Sequence, residues 1–191
     1  VARRAAGAGI EAADLIVNGA ARNAFCAVRP PGHHAEARSA MGFCLLNNIA
    51  ITARYLQRRH GLQRIFIVDF DVHHGNGTQH AFDDDPSVFF FSIHQYPFYP
   101  GTGAASERGQ GAGQGATINV PLEAGRGDAD YAQAFETQLA PAVEDFRPDC
   151  LLVSAGFDAH ADDPLALMQV SDDGYAHMSR MLAQLASEHC A

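Results

Sequence analysis

The sequence predicts an α/β protein in which a mostly parallel central sheet is covered by helices on both faces. Short apolar runs typical of buried strands alternate along the chain with longer segments whose apolar residues recur at helical spacing. Strands and helices that alternate in this way usually form a parallel sheet. Polar residues capable of chemistry follow several of the runs, and ligands of such sheets bind at the carboxyl ends of the strands.

The predicted strands are short apolar runs bounded by residues that break regular structure. They comprise residues 24–28, 64–68, 88–93, 117–120 and 150–153. Two prolines follow the first run, and polar residues and a Gly-Asn-Gly turn follow the second. The stretch 95–115 lacks periodicity and contains several Gly and Pro residues, which is typical of a functional loop.

The predicted helices precede, connect and follow these strands. They comprise residues 3–18, 45–60, 128–146 and 172–188. The first is rich in alanine and is expected to stop at Asn18-Gly19, and the second is expected to stop at Gly61.

Length and composition limit the class of protein. The 191 residues fit one domain, and with a formal net charge of −9 and no basic stripe we expect no direct binding to nucleic acid. No run approaches the roughly 20 apolar residues of a membrane span. Because the chain starts at Val1 without a methionine, we expect it to be a fragment. The four cysteines lack close spacing and predict buried thiols in a reducing, cytoplasmic compartment: Cys26, Cys44, Cys150 and Cys190.

The stretch 64–79, RIFIVDFDVHHGNGTQ, predicts a metal site at the end of a buried strand. Asp69, Asp71 and His73 alternate along the chain and would project to one side of an extended backbone. Buried charge is costly unless it is paired or coordinated. Together with Asp158, which follows another predicted strand, Asp71 and His73 would form a three-ligand site with an open position, as catalytic zinc requires.

Two adjacent imidazoles, His33 and His34, follow the Pro-Pro-Gly stop and are expected to reach the same edge of the sheet. They could serve as general base and acid for a water molecule and a leaving amine, with Asp69 as the natural partner of one of them. His94 and Asp162 fit supporting positions and solvated positions equally well. Three aromatic residues near the predicted loops belong either to the core, to a lid, or to the walls of a narrow channel: Phe43, Phe98 and Tyr99.

Six stretches, in order and over almost the whole chain, are similar to motifs of the histone deacetylase superfamily. They are RPPGHHAE (29–36), GFCLLNNIAITAR (42–54), VDFDVHHGNGTQ (68–79), FSIHQYPFYPGTG (91–103), NVPL (119–122) and SAGFDAHADDPL (154–165). This superfamily also includes acetylpolyamine amidohydrolases and acetoin-utilisation proteins. The asparagine at position 76 resembles the class II and bacterial deacetylase-like branch more than class I.

The resemblance implies a three-layer arginase-like fold and zinc-dependent hydrolysis of an acetyl amide, which gives acetate and a free amine. The implied substrates are acetyl-lysine peptides or acetylated polyamines, and the implied inhibitors are hydroxamates. A mixed nitrogen and oxygen site suits zinc but would also accept Fe(II) or cobalt. The resemblance leaves the choice between protein and polyamine substrates, and the oligomeric state, open.

The resemblance also assigns residues position by position. The metal ligands would be Asp71, His73 and Asp158, and the catalytic set would be His33, His34, Asp69 and Asn76. The substrate tunnel would be lined by Gly42, Phe43 and Tyr99, with Tyr99 standing where many members have phenylalanine. A structural potassium site would use Asp69, Asp71, His73, Ser92 and Ile93, and a second site would lie near Phe82, Asp85 and Val88.

One departure from the family concerns oxyanion stabilisation. The family's Gly-Gly-Tyr tyrosine lies after the last helix, whereas this chain stops at Ala191, and Tyr175 lacks that context. The N-terminal strand and an acidic rim loop are also expected to precede Val1, so the chain resembles the central part of a deacetylase domain. Two alternatives stay open: a binuclear arginase-like hydrolase, and a non-catalytic acetyl-lysine or partner-binding module with a degenerate site.

Overall fold

A computed structural model describes residues 1–190 and contains a four-stranded parallel sheet. The strands are β1 (Ile65–Asp69), β2 (Val88–Gln95), β3 (Thr117–Leu122) and β4 (Cys150–Ser154). Their order across the sheet is β3-β2-β1-β4. In this register Asp69, the last residue of β1, pairs with Ser92 of β2 and Ser154 of β4. The carboxyl ends of the two central strands and of β4 therefore meet at one edge.

Helices connect and flank these strands. They are α1 (Ala2–Val17), α2 (Asn48–His60), α3 (Asn76–Phe82), α4 (Asp128–Ala134), α5 (Ala140–Phe146) and α6 (Asp172–His189). The Asn47 side chain accepts a hydrogen bond from the Ala50 amide and so starts α2, and Gly61 ends it in the left-handed conformation at φ 76°. None of the described helices is both long enough and apolar enough to cross a membrane.

The residues of β1 divide between two hydrophobic clusters, one on each face of the sheet. Phe66 and Val68 pack into a cluster with side chains of α4, α5 and α6. Ile65 and Ile67 point to the opposite face and pack with α1 and α2. Because successive strand side chains alternate between faces, an unbroken apolar run is what a strand buried on both sides requires. The predicted α/β class, with helices on both faces of a parallel sheet, is confirmed.

The predicted strand at 24–28 is wrong. This segment is irregular, and the Phe25 side chain is 73% exposed. An apolar run becomes a strand only when a neighbouring strand pairs with it, and none of the described strands lies beside this one. The expectation of buried thiols also fails at Cys26, which is exposed, whereas Cys44 is buried.

The other elements differ from the predictions mainly at their ends. The helix predicted from residue 45 starts at Asn48, because Asn47 caps it. The helix predicted over 128–146 contains a π-helical segment, Phe135–Leu139, between α4 and α5. The stretch 95–115 contains one short 3₁₀ turn, Gly111–Gly113, and is otherwise irregular beyond the end of β2, as predicted for a loop.

Two glycines of α1 provide a test of the packing between α1 and α2. A methyl group on Gly7 would meet no atom within 4 Å, whereas one on Gly9 would collide with Thr52 of α2. We expect Gly7→Ala to raise the free energy of unfolding by about 0.5–1 kcal/mol, because alanine loses less backbone entropy in a helix. Gly9→Ala is expected to lower it. Urea unfolding of both variants measures the difference, and equal effects at the two positions would contradict this packing.

Candidate active site and metal centre

Three loops meet at the carboxyl edge of the sheet. Asp71 and His73 lie in the bend that follows β1, and Asp158 lies in the loop that follows the neighbouring strand β4. The two loops are joined where the Phe70 amide donates to the Ser154 carbonyl at 3.2 Å. A third loop, after the Pro-Pro-Gly segment, brings in two histidines. The adjacency of β1 and β4 therefore brings together residues that are more than eighty positions apart in sequence.

Asp71, His73 and Asp158 form a compact three-residue group of potential metal ligands. One ligand atom from each lies within 4.8 Å of the others, and all three side chains are partly buried. His73 Nδ1 lies 3.0 Å from Asp71 Oδ1 and 3.0 Å from Asp158 Oδ2. Two carboxylates and an imidazole at this separation suit a divalent cation with an open coordination position.

The electrostatics of this group favour a positive charge between the carboxylates. Burial disfavours the imidazolium form of His73, but hydrogen bonds to Asp158 and Asp71 outweigh it and raise the pKa of His73 to about 10. Burial would raise the pKa of Asp71, but the hydrogen bond from His73 outweighs this effect and lowers that pKa to about 2. The donor set therefore fits a bound cation, which would replace the proton on His73 Nδ1.

Backbone contacts hold the acidic ligands in place. Asp158 Oδ1 accepts a hydrogen bond from the Val72 amide at 3.0 Å, which leaves Oδ2 to face His73. Gly156 lies against Asp71, and a Cβ at this position would come within 2.6 Å of the Asp71 Cα. The loop after β4 can approach the β1 loop this closely because residue 156 has no side chain.

His33 lies in this site with a buried carboxylate behind it. Its Nδ1 is 3.0 Å from Asp69 Oδ2, and its Nε2 is 3.9 Å from Asp71 Oδ1. Burial disfavours a charged His33, but the Asp69 carboxylate outweighs burial and raises the pKa of His33 to about 9. Burial raises the pKa of Asp69 itself. The 3.0 Å hydrogen bond therefore lets the imidazole and the carboxylate share one proton.

His34 lies beside His33 but has an amide behind it instead of a carboxylate. The two rings are 4.0 Å apart, and His34 Nδ1 is 2.8 Å from Asn76 Oδ1. Burial and the neighbouring charge of His33 lower the pKa of His34 to about 4. The two histidines thus have different partners, and their pKa values are shifted in opposite directions.

The loop that carries both histidines is not preceded by a strand, contrary to the prediction from residues 24–28. It is held instead by the start of α3, because the Thr78 amide donates to the His33 carbonyl at 3.1 Å. The His34 amide also donates to Cys44 Sγ at 3.4 Å. A Cβ on Gly77 would lie 2.7 Å from the Ala35 carbonyl carbon, so glycine is required for this contact.

Aromatic residues surround the opening of the site. The Tyr99 ring lies edge-on to His34 at 5.1 Å, and the Phe98 ring stacks on His73 at 5.2 Å. Gly42 packs against the His34 ring, and both Gly42 and Phe43 have positive φ angles. The Phe43 side chain is 92% exposed.

The first set of residues assigned to a monovalent cation shares Asp71 and His73 with the metal centre and continues into β1 and β2. Asp69 and Ser92 pair in the register of β1 and β2, and both are fully buried, as is the neighbouring Ile93. The second predicted set lies in the turn from α3 to β2, where the Asp85 amide donates to the Phe82 carbonyl and the Val88 amide donates to the Asp85 carbonyl.

Two residues that the sequence left open do not join the metal ligands. His94 lies within β2, is fully buried, and is 2.9 Å from Ser92 Oγ and 3.0 Å from the Gly103 carbonyl. Burial lowers its pKa to about 4. Asp162 has a side chain that is 94% exposed.

Sequence reasoning missed a second buried network and an acid behind Asn76. His74 contacts Thr102 and Gln79, and Gln79 donates to Glu107, which ties the long loop to α3. Glu36 accepts a hydrogen bond from the Asn76 side chain. The only available signal was the acid two residues after the paired histidines, and it does not reveal its partner.

The fold and the site define a class of protein: an α/β protein with a three-ligand metal-type centre beside two buried histidines at the carboxyl edge of a parallel sheet. The chain belongs to the histone deacetylase family, because the family model described as "Histone deacetylase domain" matches residues 1–191. Metal dependence is a property of this family. The resemblance to histone deacetylases predicted from the sequence is confirmed.

Individual relatives agree with this assignment. The chain is 50% identical to Histone deacetylase 14, chloroplastic, of Arabidopsis thaliana, over 97% of this chain and 45% of that protein. It is 47% identical to Polyamine deacetylase HDAC10 of Rattus norvegicus, over 97% of this chain and 32% of that protein. The solved structure described as the HDA15 HD domain superposes with a TM-score of 0.95 at 47% identity, covering 99% of this chain and 56% of that one. The predicted arginase/deacetylase-like fold is confirmed, and the chain spans less than half the length of these two curated relatives.

Proposed function

We propose that the chain is the central portion of a single deacetylase catalytic domain that removes acetyl groups from amines with the help of a zinc ion. The observation that carries this proposal is the convergence of Asp71, His73 and Asp158 beside two adjacent histidines whose hydrogen-bond partners differ. Family membership supports deacetylase activity, and the metal and the substrate are the parts that the proposal adds.

The proposed ligands of zinc are Asp71 Oδ, His73 Nδ1 and Asp158 Oδ. Oxygen and imidazole donors in a set of three match catalytic zinc, and Fe(II) would be accepted by the same set. When bound, the ion would supply a Lewis acid that polarises the acetyl carbonyl and makes a water molecule more acidic.

The two histidines have different proposed roles because their partners differ. His34 is neutral, with an amide oxygen at Nδ1, so its Nε2 can accept the proton of the attacking water. His33 carries a proton that Asp69 stabilises, so it can hold positive charge beside the developing negative charge on the acetyl oxygen. The proton taken by His34 is then available to the leaving amine.

The proposed substrate path runs between Gly42, Phe43 and Tyr99. Gly42 and Tyr99 both contact the His34 ring, so an acetyl group placed between them would reach both histidines. The relatives include proteins named for histone and for polyamine deacetylation. Acetylated polyamines keep protonated amines, and acetyl-lysine peptides with further basic residues are also cationic, so the net charge of −9 favours such ligands.

The buried Asp69 carboxylate also supports the proposed potassium site. Asp69 and Ser92 are fully buried side by side, and a monovalent cation would compensate the charge of a carboxylate that has no exposure to water. Asp71, His73 and Ile93 complete the proposed set, and the turn of Phe82, Asp85 and Val88 is the proposed second site.

Acetate release tests the proposed function. An acetyl-lysine peptide and an acetylated polyamine are incubated with the zinc-loaded chain, and with a chimera that carries residues 1–190 in place of the matching segment of the Arabidopsis relative. We expect release that a hydroxamate inhibits, and a loss of about 10²–10⁴ in kcat for His34→Ala with zinc retained. His60→Ala is the matched control, because His60 ends α2 and pairs with Asp14 away from the site. Release by neither protein from any acetylated amine would count against the proposal and would favour a binding module.

A further inference from the structure

A chain of polar side chains runs from His34 through the protein to its surface. His34 Nδ1 lies 2.8 Å from Asn76 Oδ1, and Asn76 Nδ2 donates to Glu36 Oε1. Glu36 Oε1 also lies 2.9 Å from His80 Nδ1. His34 and Asn76 are buried, whereas the His80 side chain is 45% exposed. His34 and Asn76, the inner members of this hydrogen-bonded series, therefore have little access to water that could replace their hydrogen bonds.

The amide of Asn76 has only one orientation that satisfies its neighbours. Its Nδ2 carries two hydrogens, which face Glu36 Oε1 and, at 3.3 Å, the thioether sulfur of Met41. A carboxylate and a thioether can accept hydrogen bonds but cannot donate them. If the amide turned over, its oxygen would face both acceptors, and a buried oxygen next to a carboxylate is unfavourable. Glu36 therefore holds the Asn76 oxygen toward His34.

This orientation determines which nitrogen of His34 carries the proton. An amide oxygen only accepts, so His34 Nδ1 must donate to it. In the neutral imidazole one nitrogen is a donor and the other an acceptor, so Nε2 then carries the lone pair. The opposite orientation of Asn76 would place an N–H at Nδ1 and would require the hydrogen on Nε2. A general base needs the first arrangement.

His33 does not depend on such an arrangement, because its partner is a carboxylate. Both oxygens of Asp69 accept hydrogen bonds, so turning that group over changes nothing at His33 Nδ1. The Asn76 amide has one accepting end and one donating end, so the group behind it determines which end faces His34. Because position 76 is an asparagine, Glu36 determines this orientation.

We propose that Glu36 is a positioning residue that acts through Asn76 to keep His34 in the tautomer with hydrogen on Nδ1. His80 also contacts the Glu36 carboxylate from the exposed side, but the hydrogen bond from Asn76 to Glu36 does not involve it. The tautomer itself follows from the hydrogen-bond network alone, whereas its consequence for kcat rests on the proposed function. In Glu36→Ala the amide can turn over, and His34 becomes a mixture of tautomers in which only one can act as the base.

Long-range proton–nitrogen NMR correlation of the isotope-labelled chain measures the tautomer directly. The signals of His34 among the ten histidines are identified by their loss in His34→Gln. We expect a single Nδ1–H tautomer in the parent chain, and a mixture in Glu36→Ala. Glu36→Gln should keep the single tautomer, because the amide oxygen of glutamine can still accept from Asn76. His80→Ala is the matched control and should also keep it.

Two results would overturn the proposal. One is an Nε2–H tautomer in the parent chain, a result that needs no variant and so does not depend on Glu36→Ala being folded. The other is an unchanged Nδ1–H tautomer in folded Glu36→Ala. The double variant Glu36→Ala/Asn76→Asp provides a further check, since a carboxylate at position 76 has no orientation to lose and should restore Nδ1–H.

Steady-state kinetics separate this proposal from the proposed function. In the chimera used for acetate release, kcat of Glu36→Ala should fall in proportion to the population of the Nδ1–H tautomer, with KM unchanged and zinc content retained. If the tautomer shifts as expected but the parent releases no acetate, the positioning proposal stands and the deacetylase proposal fails. An equal kcat in parent and Glu36→Ala, despite a mixed tautomer, would refute the catalytic consequence.

Discussion

Replacing Asp71 or Asp158 with alanine is expected to reduce metal content from about one ion per chain to near zero after purification, because catalytic zinc is held by three protein ligands and two bind it much more weakly. The remaining pair would be His73 with a single carboxylate. The loss of the ion should also lower acetate release by several orders of magnitude, since the ion supplies the charge stabilisation for the acetyl oxygen. Elemental analysis of the purified variants, with circular dichroism to verify folding, measures the effect.

Asp162→Ala is the matched control for this experiment. Asp162 lies in the same acidic loop four positions after Asp158, but its side chain is 94% exposed and it is not part of the three-ligand group. The control should bind zinc as the parent does. Full zinc content in a folded Asp158→Ala would contradict the proposed centre, and two ions per parent chain would instead favour a binuclear arginase-like site.

The fold could be predicted from the sequence because the strands of a parallel sheet are buried on both faces and so appear as continuous apolar runs. The runs at 65–68 and 88–91 are apolar throughout, and the structure buries every residue of the two strands to which they belong. The run at 24–28 has the same appearance, yet Phe25 is 73% exposed. Whether an apolar run pairs as a strand depends on distant neighbours, and a local pattern contains no information about them.

The residues of the site could partly be predicted from the sequence, but the structure gives a different reason for their proximity. Alternation along a strand predicts that Asp69, Asp71 and His73 project to one side, but β1 ends at Asp69. Asp71 and His73 lie beyond it, in a bend where the His73 amide donates to Asp71 Oδ1 at 2.9 Å. Their proximity therefore comes from a local hydrogen bond and from the adjacent loop after β4, which brings Asp158 to within 3.0 Å of His73.

The supporting residues could not be found from sequence alone. Glu36 reaches Asn76 across 40 positions, and Gln79 reaches Glu107 across 28. Such pairs are made by tertiary structure, and neither member has an unusual local pattern. Residues that contact a substrate or a metal tend to cluster in sequence motifs, whereas the residues that orient them are scattered.

Gly156→Ala is expected to have the second large effect, because the site has no room for a side chain at this position. An added Cβ would meet the carboxylate of Asp71 and would lie 2.6 Å from the Asp71 Cα, so relief requires movement of backbone as well as of a side chain. Overpacking of this kind typically costs about 1–3 kcal/mol of stability. We expect a similar loss here, together with at least a tenfold loss of zinc affinity, since the β1 and β4 loops must separate.

Unfolding with and without zinc distinguishes these two effects. A ligand that binds only the native state raises its stability according to the ligand concentration relative to the dissociation constant. The parent chain should therefore unfold at higher urea when zinc is present, and Gly156→Ala should lose most of this increment in addition to its lower stability without metal. Gly7→Ala is the matched glycine control, because its Cβ meets no atom within 4 Å and it lies on α1, so the zinc increment should stay that of the parent.

If Gly156→Ala kept the full increment, the close approach of the two loops would not be what holds Asp71 and Asp158 at ligand distance. The loss of the increment, by contrast, would show that the absence of a side chain at position 156 contributes to metal binding by letting the two loops approach each other.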